Sequence, residues 1–173
     1  HEDARQYLAT CQESFDVIIL DLVDPIEGGP SYMLYTREFY QIAKSKLNPG
    51  GILVTQAGPA GLLNYTECLT AIARTISETF PETYPYATYI PAFTTLWGYV
   101  LALNEGGPGT DGVRLAEIEP GVVDGLISKR LPRELRYYDG ISHRRMFSLP
   151  KYLRQGIDAE ERIVTDENPV FMV

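Results

Sequence analysis

The sequence predicts an α/β fold, a mostly parallel sheet that carries an antiparallel pair of strands at its edge. The stretch "FDVIILDLVDP" (15–25) contains the unbroken apolar run Val17 to Leu20, which is typical of a parallel strand buried on both faces. An amphipathic helix and a second apolar strand, "ILVTQ" (52–56), follow it, as in a right-handed βαβ unit. Two further strands, "YATYIPAF" (86–93) and "WGYVLAL" (97–103), have no helix between them, which favours an antiparallel pair.

Helices are predicted where apolar residues recur at helical spacing. Thr36 is a plausible N-cap for the helix between the first two strands, and the "NPGG" sequence at 48–51 is a plausible stop. The predicted helices cover residues 3–11, 34–47, 66–80 and 122–131.

The order of elements predicts one domain made of two regions joined by a linker. Residues 1–103 form the core sheet and its helices, and residues 113–173 form a carboxyl-terminal helical region. Glycine-rich residues 104–112 between them are predicted to be a mobile linker. Because the chain begins at His1 within a stretch that looks functional, we expect it to be part of a larger catalytic domain.

Composition restricts the classes of function. A chain of 173 residues with 45% apolar content suits a single domain with its own core. The formal net charge of −8 disfavours a nucleic-acid partner and favours a cationic ligand. Cys11 and Cys68 are widely separated, which fits reduced thiols and argues against a structural metal. No apolar run reaches the roughly 20 residues that span a bilayer, so we expect a cytoplasmic protein with no membrane partner.

Polar side chains follow both strands of the predicted βαβ unit. Asp21 and Asp24 come directly after the first strand, and Gln56 ends the second. Ligands of open α/β sheets bind outside the carboxyl ends of the strands, so these side chains are predicted to face one crevice. Two neighbouring carboxylates need a positive partner, and a polyamine would provide it. A helix or turn cap at Asp21 and a turn at Asp24 are equally compatible with the pattern.

Several stretches together resemble one family of enzymes. The combination of "DA" (3–4), "FDVIILDLVDP", "LYTREFYQ", "GGILVTQAGP" and "YIPAFTTLWGYVLA" is similar to the polyamine aminopropyltransferases, which include the spermidine, spermine and thermospermine synthases. The likeness to the thermospermine synthases is strongest. It implies a Rossmann-like sheet of the type found in S-adenosylmethionine-dependent methyltransferases, of which this chain holds only part. The amino-terminal β domain and the glycine-rich cofactor loop of the family have no counterpart in it.

The resemblance also implies a reaction. An aminopropyl group would pass from decarboxylated S-adenosylmethionine, a co-substrate, to a polyamine such as spermidine or putrescine, and methylthioadenosine would be released. No prosthetic group and no metal are expected. The product would be thermospermine, spermine or spermidine, and the full-length protein would be a homo-oligomer.

Roles for individual residues follow from the same resemblance. Asp21 would be the general base or the carboxylate that positions the attacking nitrogen, Asp24 would hold the polyamine cation, and Gln56 would line the acceptor pocket. Apart from the resemblance, Tyr35 is a candidate contact for the polyamine, because aromatic rings bind cations, although a place in the core is as compatible with its spacing. Phe93 stands where spermidine synthases commonly carry a tyrosine, which favours an acceptor longer than putrescine. The nucleoside of the co-substrate would contact Asp3, Ala4 and the loop from Pro25 to Pro30.

Two other functions remain open at this point. An S-adenosylmethionine-dependent methyltransferase would use a similar sheet, although paired carboxylates fit a polyamine better. A non-catalytic module for polyamine binding or dimerisation is the second, because half of the family's site is missing from this chain.

Overall fold

The structure, a computed structural model, describes residues 3–105 and 115–172. Within these residues four strands form one sheet, and the helices pack around it. The helices are α1 (Ala4–Thr10), α2 (Arg37–Ser45), α3 (Leu69–Thr79), α4 (Pro120–Arg130), α5 (Gly140–Phe147) and α6 (Lys151–Asp158), and the strands are β1 (Phe15–Leu20), β2 (Leu47–Pro59), β3 (Glu82–Ile90) and β4 (Thr95–Leu103).

The sheet has the strand order β1-β2-β4-β3. Strand β1 pairs with β2 in parallel, and β4 lies antiparallel to both β2 and β3. Strands β1, β2 and β3 therefore run in one direction and their carboxyl ends share one edge of the sheet, which we call the ligand edge. The predicted fold class, with its antiparallel pair of strands at the edge of the sheet, is confirmed.

Helix α2 forms where the sequence predicts it, because its capping residue and its apolar stripe agree. The Thr36 hydroxyl accepts a hydrogen bond from the Phe39 N–H at 3.3 Å, which satisfies one of the free donors of the first turn. Phe39, Tyr40 and Ala43 are fully buried on the face that meets the sheet. Strand β2 begins at Leu47, so residues 48–51 belong to the strand and not to a separate turn.

One face of strand β1 is buried in the core and the other face is open. Ile18 and Leu20 belong to the core, whereas Val17 is 51% exposed and Ile19 is 71% exposed. Successive side chains of a strand point to opposite faces, and no described helix packs over the second face of β1. The prediction that this strand is covered on both faces is therefore wrong for the part of the chain that the structure describes.

The predicted helical region at the carboxyl end is helical only as far as Asp158. Beyond it an extended segment, residues 159–172, runs back over the core. The Arg37 N–H donates to the Val164 carbonyl at 2.8 Å, and the Met172 N–H donates to the Pro25 carbonyl at 2.7 Å. Val164 is 1% exposed. This extended segment therefore packs against the first half of the chain. The predicted linker lies mostly in residues 106–114, outside the described residues.

Candidate active site

The loop from Asp21 to Ser31 follows strand β1 at the ligand edge, and its own contacts hold it in shape. A tight turn is closed by the Gly29 N–H, which donates to the Ile26 carbonyl at 2.9 Å. Gly28 within this turn has φ of 71°, a conformation that favours glycine. The Ser31 hydroxyl donates to the Asp24 carbonyl at 3.0 Å. These bonds fix the backbone that carries Asp24.

Asp24 and Gln56 meet across the ends of strands β1 and β2, as the sequence predicts for residues at one edge. The Gln56 amide nitrogen donates to Asp24 Oδ1 at 3.2 Å and to the Leu22 carbonyl at 3.1 Å. Burial raises the pKa of the half-buried Asp24 carboxyl, and the hydrogen bond from Gln56 opposes that rise. Asp24 is thus a carboxylate with a defined orientation.

Asp21 has a different environment from Asp24, although the two are neighbours. Its side chain is exposed, and among the described residues no hydrogen bond or ion pair reaches its carboxylate. Burial raises the pKa of Tyr99 on strand β4, and the negative charge of Asp21 adds to that rise. An unpaired carboxylate in this position is available to accept a proton from a ligand.

Tyr35 lies beneath these residues and is fully buried. Its hydroxyl accepts a hydrogen bond from the Gln56 amide nitrogen and donates to the Val23 carbonyl at 3.0 Å. Burial raises the pKa of Tyr35 well above its usual value, so the phenol stays protonated. The structure gives Tyr35 a supporting place under the loop, and its contact with a substrate stays a prediction.

Aromatic side chains form one wall of the site. Phe93 is 52% exposed, and its ring centroid lies 4.4 Å from that of Trp97. The Trp97 indole N–H donates to Gln56 Oε1 at 2.9 Å. The sequence predicts only that Trp97 belongs to an apolar strand, and that pattern does not indicate this contact. Trp97 stands two positions before Tyr99, the strand partner of Gln56, so Trp97 and Tyr99 lie on the same face of β4.

The residues predicted to contact the nucleoside lie around the start of α1 and the same loop. Asp3 is the N-cap of α1, and its Oδ1 accepts a hydrogen bond from the Gln6 N–H at 2.8 Å. Ala4 and Pro30 are exposed, whereas Pro25 is buried and bound through its carbonyl to Met172. Their contact with a nucleoside stays a prediction. Within the described residues no cluster of three or more His, Cys, Asp or Glu side chains has the spacing of a metal site.

The fold and this acidic edge define the class of protein. The chain superimposes on a spermidine synthase from Thermotoga maritima with a TM-score of 0.66 and 25% sequence identity, over 90% of this chain and 48% of that one. The open α/β sheet is therefore the methyltransferase-like sheet of the spermidine synthases.

Sequence comparison identifies the family. Residues 1–108 match the spermine/spermidine synthase domain, and the chain belongs to this family. It is 41% identical over 170 residues to polyamine aminopropyltransferase 2 of Hyperthermus butylicus, covering 98% of this chain and 53% of that protein. It is 37% identical over 172 residues to a thermospermine synthase of Arabidopsis thaliana, covering 99% of this chain and 48% of the relative. The chain thus spans about half the length of the curated relatives it matches.

Proposed function

We propose that the whole protein transfers an aminopropyl group from decarboxylated S-adenosylmethionine to a polyamine. Spermidine is the proposed acceptor, with thermospermine or spermine as the product and methylthioadenosine as the second product. Membership of the family supports the reaction class. The observation that carries the proposal is the unequal pair of carboxylates at the ligand edge, an unpaired Asp21 beside an oriented Asp24.

The different environments of Asp21 and Asp24 match two requirements of such a reaction, a group that accepts a proton and a group that binds an ammonium ion. An alkylammonium group has no lone pair, so one proton must leave before its nitrogen can attack. Asp21 would accept that proton. The free nitrogen would then form a bond to the methylene carbon beside the sulfonium, while the carbon–sulfur bond breaks and its electron pair stays on sulfur. Asp24 would remain charged and hold a second ammonium group, which keeps the reactants in attack geometry.

The aromatic wall supports a polyamine over a smaller cation. Methylene segments between the ammonium groups would find apolar partners in Phe93 and Trp97, and Gln56 connects Trp97 to Asp24. Phe93 has no hydroxyl to offer to a reacting amine, which favours spermidine over putrescine. The nucleoside of the donor would contact Asp3, Ala4 and the Pro25 to Pro30 loop.

Two wider properties belong to the same proposal. The whole protein is proposed to be a homo-oligomer in the cytoplasm that binds no nucleic acid. Among the described residues, no helix is both long enough and apolar enough to cross a membrane. Analytical ultracentrifugation of the whole protein tests the oligomeric state.

The reaction is tested on the whole protein, including any sequence that adjoins residues 1–173. Decarboxylated S-adenosylmethionine is supplied with either putrescine or spermidine, and the products are separated by chromatography. We expect a tetraamine from spermidine, whose retention time distinguishes thermospermine from spermine. Asp21→Asn should lower turnover by about 100-fold or more, the usual contribution of a general base. Asp16→Asn, the same change on strand β1, is the matched control and should leave turnover intact.

Two outcomes would replace the proposal. Methyl transfer from intact S-adenosylmethionine, with neither amine consumed, would indicate a methyltransferase. Spermidine binding without any consumption of the decarboxylated donor would indicate a binding module.

A further inference from the structure

The orientation of the Gln56 side-chain amide is determined by two donors. Its oxygen Oε1 accepts a hydrogen bond from the Trp97 indole N–H at 2.9 Å and another from the Gly58 N–H at 2.9 Å. An indole nitrogen and a backbone nitrogen are donors only, so the atom that faces both must be the amide oxygen. The amide nitrogen is therefore directed to the opposite side, toward Asp24.

The reversed orientation of the amide would place like groups against each other. The NH2 group would face the donors of Trp97 and Gly58, and the oxygen would face the Asp24 carboxylate and the Leu22 carbonyl. Every one of these four hydrogen bonds would be lost, in a region where Gln56 is only 5% exposed and water offers little replacement. Trp97 and the Gly58 N–H thus together select which end of the amide reaches Asp24.

The indole itself is held in place by its surroundings. Trp97 is 8% exposed, and the Phe93 ring packs on it from the short helical turn Pro91–Phe93. Thr94 closes that turn with φ of 54°, the only positive φ of a non-glycine residue among the described ones. A side chain other than glycine adopts this conformation at an energetic cost, which the surrounding contacts must offset. The turn, the two rings and the Gln56 amide form one connected support for the Asp24 carboxylate.

We infer that Trp97 is a positioning residue for polyamine binding: through Gln56 it directs an N–H group at the Asp24 carboxylate and fixes that carboxylate where an ammonium group is bound. Trp97 makes this contribution through its N–H, in addition to the apolar wall it forms with Phe93. The inference rests on the proposed function, because it assigns Asp24 to polyamine binding. The inference goes beyond the proposed function by predicting that a neutral side chain, Trp97, fixes the direction of the Asp24 carboxylate through Gln56.

The test separates the contribution of the Trp97 N–H to spermidine binding from the contribution of its aromatic ring. Trp97→Phe keeps an aromatic side chain against Phe93 but removes the donor to Gln56. We expect the KM for spermidine, and its equilibrium Kd measured by calorimetry, to rise about tenfold, the effect of one hydrogen bond in a charged network. The kcat should change by less than about threefold, because Asp21 is untouched. The matched control is Tyr89→Phe, a change at an exposed aromatic residue of β3, which should alter neither constant.

A double-mutant cycle distinguishes positioning from packing. In a Gln56→Leu background Trp97 has no amide to orient, so Trp97→Phe should then have no further effect on Kd. A tenfold loss that persists in that background would show that only packing matters and would overturn the inference. An unchanged Kd for Trp97→Phe in the otherwise native protein would overturn it as well.

The pH profile gives a second readout. Without Trp97, the Gln56 N–H is no longer held against Asp24 and stabilises its charged form less. In Trp97→Phe the loss of spermidine affinity at low pH, measured as Kd against pH, should therefore begin at a higher pH. An unchanged onset would contradict the inference. If Trp97→Phe does not fold, Trp97→Leu, which also lacks the N–H, takes its place in the pH measurement.

Failure of the proposed function looks different from failure of the inference. If the native protein neither binds nor consumes spermidine, both are overturned. If the native protein does both and Trp97→Phe behaves identically, only the inference is overturned.

Discussion

Glu160 holds the extended carboxyl-terminal segment against the start of helix α3, and its removal is a sharp test of that packing. Its side chain is only 9% exposed. Its Oε2 accepts hydrogen bonds from the Thr70 hydroxyl and from Arg162 Nη2, both at 2.6 Å, and its Oε1 accepts from Arg162 Nε at 2.9 Å. Burial acts to raise the pKa of Glu160, but the hydrogen bonds from Arg162 and Thr70 outweigh it and bring the pKa to about 2.

The pKa of Glu160 sets the size and the sign of the expected effect. Relative to about 4.3 for a glutamate in an unfolded chain, a folded pKa of about 2 corresponds to about 3 kcal/mol of stability. Arg162 is 47% exposed, and screening by water lowers this figure to about 2 kcal/mol. Because the folded pKa is the lower one, the contribution is fully present above about pH 5 and is lost as the pH falls toward about 2.

The perturbation is Glu160→Gln, which keeps the shape of the side chain and removes its charge. Urea unfolding of the whole protein at pH 7 should show a loss of about 2 kcal/mol, with an unchanged slope m. At pH 3 the variant and the native protein should be closer in stability. Glu161→Gln is the matched control, since no described residue forms a hydrogen bond with the exposed Glu161 side chain. Equal stability of Glu160→Gln and the native protein at pH 7, or the same difference at both pH values, would refute the reasoning.

Three glycine substitutions test the packing of the sheet and of the carboxyl-terminal helices, each by urea unfolding. Gly98→Ala should cost about 1–3 kcal/mol, because a Cβ there would lie 2.6 Å from the buried Leu69 side chain, and an unchanged midpoint would contradict this packing. Gly140→Ala should cost at least about 3 kcal/mol, because its Cβ would lie 2.1 Å from the backbone carbonyl of Pro120, and a small loss would show that α4 and α5 can separate. Gly121→Ala meets no atom within 4 Å and should stabilise helix α4 by about 0.5–1 kcal/mol; destabilisation would show that the helix does not form there.

Much of the fold could be predicted from local sequence patterns. The Thr36 cap, the apolar stripe of α2 and the turn chemistry around Gly28 each act over a few residues, so a linear sequence is enough to recognise them. The meeting of Asp24 and Gln56 was also predictable, because parallel neighbours end at the same edge of a sheet. The strand order was only half predictable: strand β4 lies between β2 and β3, and nothing local in the hairpin specifies which of its strands joins β2.

The remaining features depend on contacts between distant parts of the chain. Val17 and Ile19 look identical in sequence to their buried neighbours, and only the placement of the helices determines which face of β1 is covered. Trp97 joins the site through the register of β2 with β4, a property of the pairing and not of the residue. The path of residues 159–172 over α2 likewise has no local signature, since it depends on partners far away in the sequence, such as the Arg37 N–H for the Val164 carbonyl and the Thr70 hydroxyl for Glu160.

The hydrogen bond between Met172 and Pro25 also sets an order of events in time. At the usual pace of translation, roughly ten seconds separate the synthesis of these two residues. During that interval strands β1 and β2 and helix α2 have all emerged and are able to pair, yet the Pro25 carbonyl has no partner from the extended segment. The Pro25 carbonyl at the acidic edge can therefore receive this bond only after every strand of the sheet has been synthesised.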